Sequence, residues 1–234
     1  MIYIKPIASG SSGNAYRVSD GRTQLLIEAG IPISKIKEAL GYTLRTVDAC
    51  LISHEHGDHI SSAAEIAKNG IDVYASQGTL EAKNLNGHRF HEVKPLSLFE
   101  VGSFTIMPFP VQHDAVEPVG FLIRSSYTGE KLLYFTDTYY LKYNFTGLNY
   151  IMGECNYERD IVYRNIAEGI IDQNRATRLM KSHMSLTHFL EFLRSTDLSQ
   201  VRQIYLLHLS SDNSDAEMFR REVQKLTGTE VYVA

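Results

Sequence analysis

The 234-residue chain predicts a layered α/β fold, and three observations predict it. Short apolar runs of strand length, bounded by turn residues, open and close the chain. Helical periodicities are interspersed through both halves. A hydrophobic content of 44% over this length is enough for one substantial core. No internal repeat, low-complexity tract or Pro/Gly-rich linker interrupts the pattern, so residues 1–234 read as a single domain.

The first quarter reads as strands at Tyr3–Ala8, Ala15–Ser19 and Gln24–Glu28, separated by the turn-rich stretches SGSSGN and SDGR. Pro32 introduces a short helix over Ile33–Leu40, with Ile33, Ile36 and Leu40 on one face. Ala49–Ser53 is a compact apolar strand. A helix through Ala63–Lys68, a strand Val73–Ala75 and a helix Thr79–Asn84 complete an alternating half. Strands resume at Phe104–Phe109, Gly120–Ser125, Lys131–Thr136 and Tyr150–Glu154. Helical patterns then cover Ile161–Met180, Leu186–Arg194 and Ala216–Leu226. A strand Gln203–His208 lies between the last two, and Val231–Val233 closes the chain. Sheets packed together with helices outside satisfy this order.

A net charge of −4 provides no global basic field to attract nucleic acid. The densest basic cluster, Arg220, Arg221 and Lys225, sits in a helical pattern and reads as a solvated face. No apolar run reaches membrane-spanning length, and MIYIKPIASG lacks the layout of a signal peptide. Cys50 and Cys155 each lie inside an apolar run and read as buried free thiols. The expectation is a cytoplasmic protein without a membrane partner. Oligomeric state is not legible.

LISHEHGDHI, residues 51–60, places three histidines, Glu55 and Asp58 in six consecutive positions directly after an apolar strand. In an extended segment residues two apart project to one side, so His54 and His56 can converge on one ion. Gly57 permits a sharp turn, which would let Asp58 and His59 face a second ion. Imidazole and carboxylate suit Zn²⁺, and also Mn²⁺ or Fe. His113 follows the strand Phe104–Phe109, Asp137 ends LLYFTD, and His208 ends IYLLH. Three apolar strands, each finishing in a metal-competent residue, imply a common sheet edge where those residues meet.

SHEHGDH followed by His113, Asp137 and His208 resembles the metallo-β-lactamase fold superfamily, across nearly the whole chain. The resemblance implies a four-layer αββα sandwich with a dinuclear site at the edge of its two sheets. It further implies that His54, His56 and His113 hold one ion, that Asp58, His59 and His208 hold the other, and that Asp137 bridges them. Two divalent ions, foremost Zn²⁺, are the implied cofactors. LLIEAG resembles the family's LLIDxG, with Glu28 where aspartate supports the metal loop.

Such a site serves diesters, thioesters, lactones and lactams alike. MKSHMSLTHFLEFL, ahead of IYLLHLSSDNSD, is similar to the nuclease and phosphodiesterase branch, where a histidine precedes a Ser/Thr-capped helix. That histidine is His183, with Ser185 as the expected N-cap. It can donate to a phosphate oxygen and stabilise transition-state charge. SGSSGNA exposes backbone N–H groups and hydroxyls, so Ser11, Ser12 and Asn14 join His183 as candidate substrate contacts. The set SGSSGNA, LLIEAGI, SHEHGDH, GECNYERD, KSHMSLTHF and LLHLSSDNS resembles single-domain exonuclease-like proteins related to the transfer-RNA 3′-processing ribonuclease. In GECNYERD, Glu154 and Asn156 match that subgroup as support beneath the site, whereas Cys155 replaces a small residue.

The expected function is metal-dependent phosphodiester hydrolysis by a metal-activated hydroxide. Asp58, Asp137 and His183 are the candidate catalytic residues, and nucleic acid or a small diester is the substrate. The absence of basic patches favours a small substrate or an end-nibbling activity over a processive nuclease. Lactone or thioester hydrolysis is the alternative, and a non-catalytic metal-binding regulator is a third reading.

Overall fold

Continuous buried runs such as QLLI, ACL and IYLL form strands covered on both faces, and the alternating FTIMPFP forms one that is not. The computed structural model describes all 234 residues. The chain divides into two compact units, Met1–Pro110 with Ala115–Lys131, and Val111–Asp114 with Leu132–Ala234.

The first unit opens with β1 (Tyr3–Ala8), β2 (Ala15–Ser19) and β3 (Gln24–Ile27), an antiparallel meander. β4 (Ala49–Leu51), β5 (Asp72–Ser76) and β6 (Phe90–Val93) extend it in parallel, in the spatial order β1-β2-β3-β4-β5-β6. The crossovers carry α1 (Ile33–Ala39), α2 (Gly57–Ile60), α3 (Ala63–Lys68) and α4 (Gln77–Ala82). Ile36, Ile60, Ile66 and Leu80 from these helices join Leu26, Cys50, Ile52 and Val73 in one core. β7 (Phe99–Val101), β8 (Phe104–Pro110) and β9 (Val119–Ser125) pair antiparallel, with Ile106 opposite Ile123.

In the second unit β10 (Lys131–Phe135), β11 (Tyr150–Glu154), β12 (Gln203–Leu207) and β13 (Glu230–Val233) pair in parallel in that order. Its helices are α5 (Arg159–Ala167), α6 (Gln173–Ser182), α7 (Leu186–Ser195) and α8 (Ala216–Thr227). α7 presses Phe189 and Phe192 onto Phe135, with ring centroids 6.1 and 5.3 Å apart. Gly153 makes this approach feasible, since a Cβ there would lie 2.3 Å from Phe135 Cζ and 2.7 Å from Phe189 Cε2.

The single helical pattern expected over Ile161–Met180 is two helices. Gly169, at φ 72°, ends the first, and Asp172 caps α6 by accepting from the Asn174 and Arg175 amides. The short strands β6 and β7 were not expected: FHEV and FEV mix polar and apolar residues, and β6 lies at a sheet edge. Three expected strands stop one residue early, beside Glu28, Asp137 and His208, whose positive φ (63°, 44° and 53°) breaks the ladder, and the strand expected to Ser53 ends at Leu51. No helix is long and apolar enough to cross a membrane.

Candidate metal centre

In the first unit β4 runs out at Leu51, the chain bends at Glu55, and His56 takes extended dihedrals (φ −64°, ψ 146°) before α2 begins. This segment brings His54 Nε2 within 3.2 Å of His56 Nδ1, as two-residue spacing requires. Ser53 Oγ lies 2.9 Å from His54 Nδ1 and orients that ring. Asp58 and His59 sit in α2, with Asp58 Oδ2 3.3 Å from His59 Nε2. The turn expected at Gly57 is instead the start of this helix. Gly57 has no positive φ, and a Cβ there would meet nothing within 4 Å. The glycine that the loop needs is Gly30, where a Cβ would fall 1.6 Å from the Asp58 carbonyl oxygen.

Two buried side chains hold this loop from beneath. Glu28 accepts from the Ser53 amide at 3.3 Å and places Oε2 3.6 Å from His59 Nδ1. This carboxylate faces the Nδ1 side of the His59 ring. Asn14, fully buried, directs Nδ2 to the Asp58 carbonyl at 3.2 Å and to His59 Nε2 at 3.2 Å. Its Oδ1 accepts from the Gly10 amide and the Tyr16 hydroxyl. The expected substrate contact at Asn14 is therefore a buttress: its amide is consumed inside the protein. Ser11 and Ser12 are exposed at the turn.

In the second unit β10, β11 and β12 are parallel neighbours, so their C-terminal ends share one edge. Asp137, Glu154 and His208 emerge there. Asp137 Oδ1 is in close contact with His208 Nδ1, and Thr136 Oγ1 donates to the same oxygen at 2.8 Å. Asp137 Oδ2 lies 3.5 Å from His113 Nε2. His113 Nδ1 donates to the Ser182 carbonyl at 3.0 Å, which makes Nε2 the nitrogen able to face an ion. Burial pushes the His113 pKa below its ordinary value against the pull of Asp137, and so favours the neutral imidazole a metal requires.

Glu154 is fully buried and both of its oxygens are hydrogen-bonded. Oε2 accepts from the Thr138 and Met184 amides at 2.8 and 3.2 Å, and Oε1 accepts from His183 Nδ1 at 2.6 Å. Burial pulls the His183 pKa down, but the Glu154 carboxylate overrides it and raises it to about 9. His183 caps the C-terminus of α6, and Ser185 caps α7 by accepting from the His188 amide at 3.2 Å. Asn156 Nδ2 donates to the His208 carbonyl at 2.7 Å and holds that residue in its left-handed conformation.

In the second unit Asp137, Glu154, His183 and His208 bring one ligand atom each to within 4.8 Å of one another. Buried imidazole nitrogens facing carboxylate oxygens, in both units, fit a divalent cation. Positive φ at Asp137 and His208 costs about 1–3 kcal/mol each, a strain that clusters at functional sites. Sequence reasoning missed Ser53, Thr136, Thr138 and the Ser182 carbonyl. The first three are small hydroxyl residues beside the ligands, and a backbone acceptor leaves no trace in composition. Cys50 and Cys155 are buried free thiols, with pKa values that burial pushes well above the ordinary one.

Known proteins resemble this chain in sequence and in fold. Exodeoxyribonuclease WalJ of Streptococcus pneumoniae serotype 2 is 31% identical over 229 residues, covering 91% of this chain and 83% of that protein. Exodeoxyribonuclease YycJ of Bacillus anthracis is 28% identical over 243 residues, with coverages of 96% and 89%. Among solved structures, the metallo-beta-lactamase fold protein YhfI from Bacillus subtilis superposes with a TM-score of 0.75 at 19% identity, over 100% of this chain and 96% of that one. That likeness is one of fold, and it is the fold the sequence predicts. Residues 23–209 match the family model described as the beta-lactamase superfamily domain, and the chain belongs to that superfamily.

Proposed function

We propose that this chain is a dinuclear metal-dependent phosphodiesterase acting on nucleic acid, with exonuclease activity on DNA. The observation that carries this reading is the His183–Glu154 pair beside Asp137 and His208, a proton donor held against a buried carboxylate among metal-competent side chains. The exodeoxyribonuclease relatives support the choice of substrate. Zn²⁺ is the metal the nitrogen-rich donor set suits best, with Mn²⁺ or Fe as substitutes. Two buried free thiols support a reducing, cytoplasmic setting.

In this reading His54, His56 and His113 would hold one ion and Asp58, His59 and His208 the other, with Asp137 a ligand common to them. When bound, the ions supply Lewis acidity, acidifying water and offsetting the charge of a diester. Asp137 orients the attacking water through the carboxylate that Thr136 steadies. His183 keeps its Nδ1 proton on Glu154, so Nε2–H is the group that donates to the departing oxygen. Glu154 positions His183 and stabilises its charged form. Glu28, Asn14 and Asn156 hold the ligand-bearing backbone.

The test is His183→Ala on bis-p-nitrophenyl phosphate and 5′-labelled DNA. Loss of a general acid lowers kcat about 10²–10⁴-fold. Metal content, read by elemental analysis, stays at the wild-type level. An unchanged kcat on both substrates, or activity on lactones and thioesters alone, contradicts the reading.

A further inference from the structure

A polynucleotide needs contacts beyond its scissile phosphate, and a chain of net charge −4 must provide them locally. α6, QNRATRLMKS, carries Arg175, Arg178 and Lys181. It is the one α-helix with cations and no carboxylate of its own. Its apolar side, with Ala176 buried and Leu179 and Met180 partly so, packs against Tyr157, Val162 and Ile171. The opposite side presents Asn174, Thr177, Arg178 and Lys181, spaced i, i+3, i+4 and i+7 along one face. This face walls a cleft of about 590 Å³ whose other walls include His113 and Asp114.

We propose that this cleft is a phosphate-binding subsite for single-stranded DNA, in which Arg178 and Lys181 hold backbone phosphates next to the one being cleaved. The inference rests on the phosphodiesterase reading above. From residue 174 to 181 the face runs about 10 Å at 1.5 Å per residue, and a stacked strand advances about 3.4 Å per nucleotide. The face therefore serves about three nucleotides leading to His113. In the free protein Asp114 occupies the guanidinium: its Oδ2 accepts from Arg178 Nε at 2.9 Å and Nη2 at 2.8 Å, and its Oδ1 lies 3.3 Å from His113 Nε2. The pair leaves Arg178 largely exposed yet extended across the cleft, poised to exchange one oxyanion for another. Lys181, exposed beside it, supplies the second charge. A single cationic wall, rather than a basic surface, suits an enzyme that works from strand ends.

The test is fluorescence anisotropy of a labelled, nuclease-resistant phosphorothioate oligo-dT with the metal-loaded protein, titrated at several salt concentrations. Arg178→Gln with Lys181→Gln weakens binding and flattens the slope of log K against log salt by about 1.4, at about 0.7 per lost phosphate contact on a single strand. Lys181→Gln alone gives about half that change. Arg220→Gln with Arg221→Gln on α8 alters net charge equally and leaves the wild-type slope. A wild-type slope in the α6 double variant, or an equal change in the α8 variant, overturns the subsite. If wild type cleaves DNA under either result, the phosphodiesterase reading survives. A wild type that neither binds the oligonucleotide nor hydrolyses any diester overturns both.

Discussion

Single side chains decide much of this molecule because they are buried carboxylates with every lone pair committed. Asp20 accepts from the Ser103 and Ser125 hydroxyls, each at 2.6 Å, and from the Arg22 and Thr23 amides, each at 2.9 Å. Burial pushes its pKa up, but the four hydrogen bonds outweigh that and hold it below the ordinary 3.8. A depressed carboxylate contributes stability that is complete above its unfolded pKa and is lost as pH falls through the folded one. Asp20→Asn is expected to cost about 2–4 kcal/mol in urea unfolding at neutral pH, as two hydroxyls and two amides lose a charged acceptor. It also removes part of the stability loss that wild type shows below about pH 4. A variant as stable as wild type at both pH values would show that these bonds contribute nothing. Gly30→Ala has a different signature: the added Cβ drives into the Asp58 carbonyl, so metal content and activity fall together. Of these residues HEHGDH was legible from spacing, whereas Asp20 and Gly30 were not. Their partners lie 83 and 105 residues away from Asp20 and 28 residues away from Gly30.

Among the elements, the legible ones are apolar strands that end near a metal-competent residue. Each of β4, β10 and β12 is an apolar run that stops just before a metal-competent residue, so pattern and chemistry change together at a visible point. The elements that pattern missed lack such a change: β6 and β7 are short and mixed, and α2 is one turn inside a motif whose ligands mask its period. The break between α5 and α6 rests on Gly169 and the Asp172 cap within a run that otherwise keeps helical spacing. Ser185 illustrates how a cap couples element to site. Its hydroxyl starts α7 two residues after His183, so Ser185→Ala is expected to cost about 1 kcal/mol in thermal or urea unfolding. It should lower kcat more than the stability loss explains, because His183 then loses a fixed C-terminal neighbour. A change in stability alone would separate the cap from the chemistry.

For the whole molecule, the proposed ligands are spread along the chain from His54 to His208. An ion that binds the native chain and not the unfolded one stabilises the native chain, so metal binding is linked to folding. Chelation is accordingly expected to lower Tm by several degrees, with recovery on adding Zn²⁺, as read by scanning calorimetry. The most direct test of the central claim combines stoichiometry with turnover on one preparation purified without chelator and supplied with Zn²⁺ or Mn²⁺. About two ions per chain are expected, with hydrolysis of bis-p-nitrophenyl phosphate and labelled DNA, both lost in Asp137→Ala. Bound metal with no turnover of any diester, or full activity in Asp137→Ala, would contradict it.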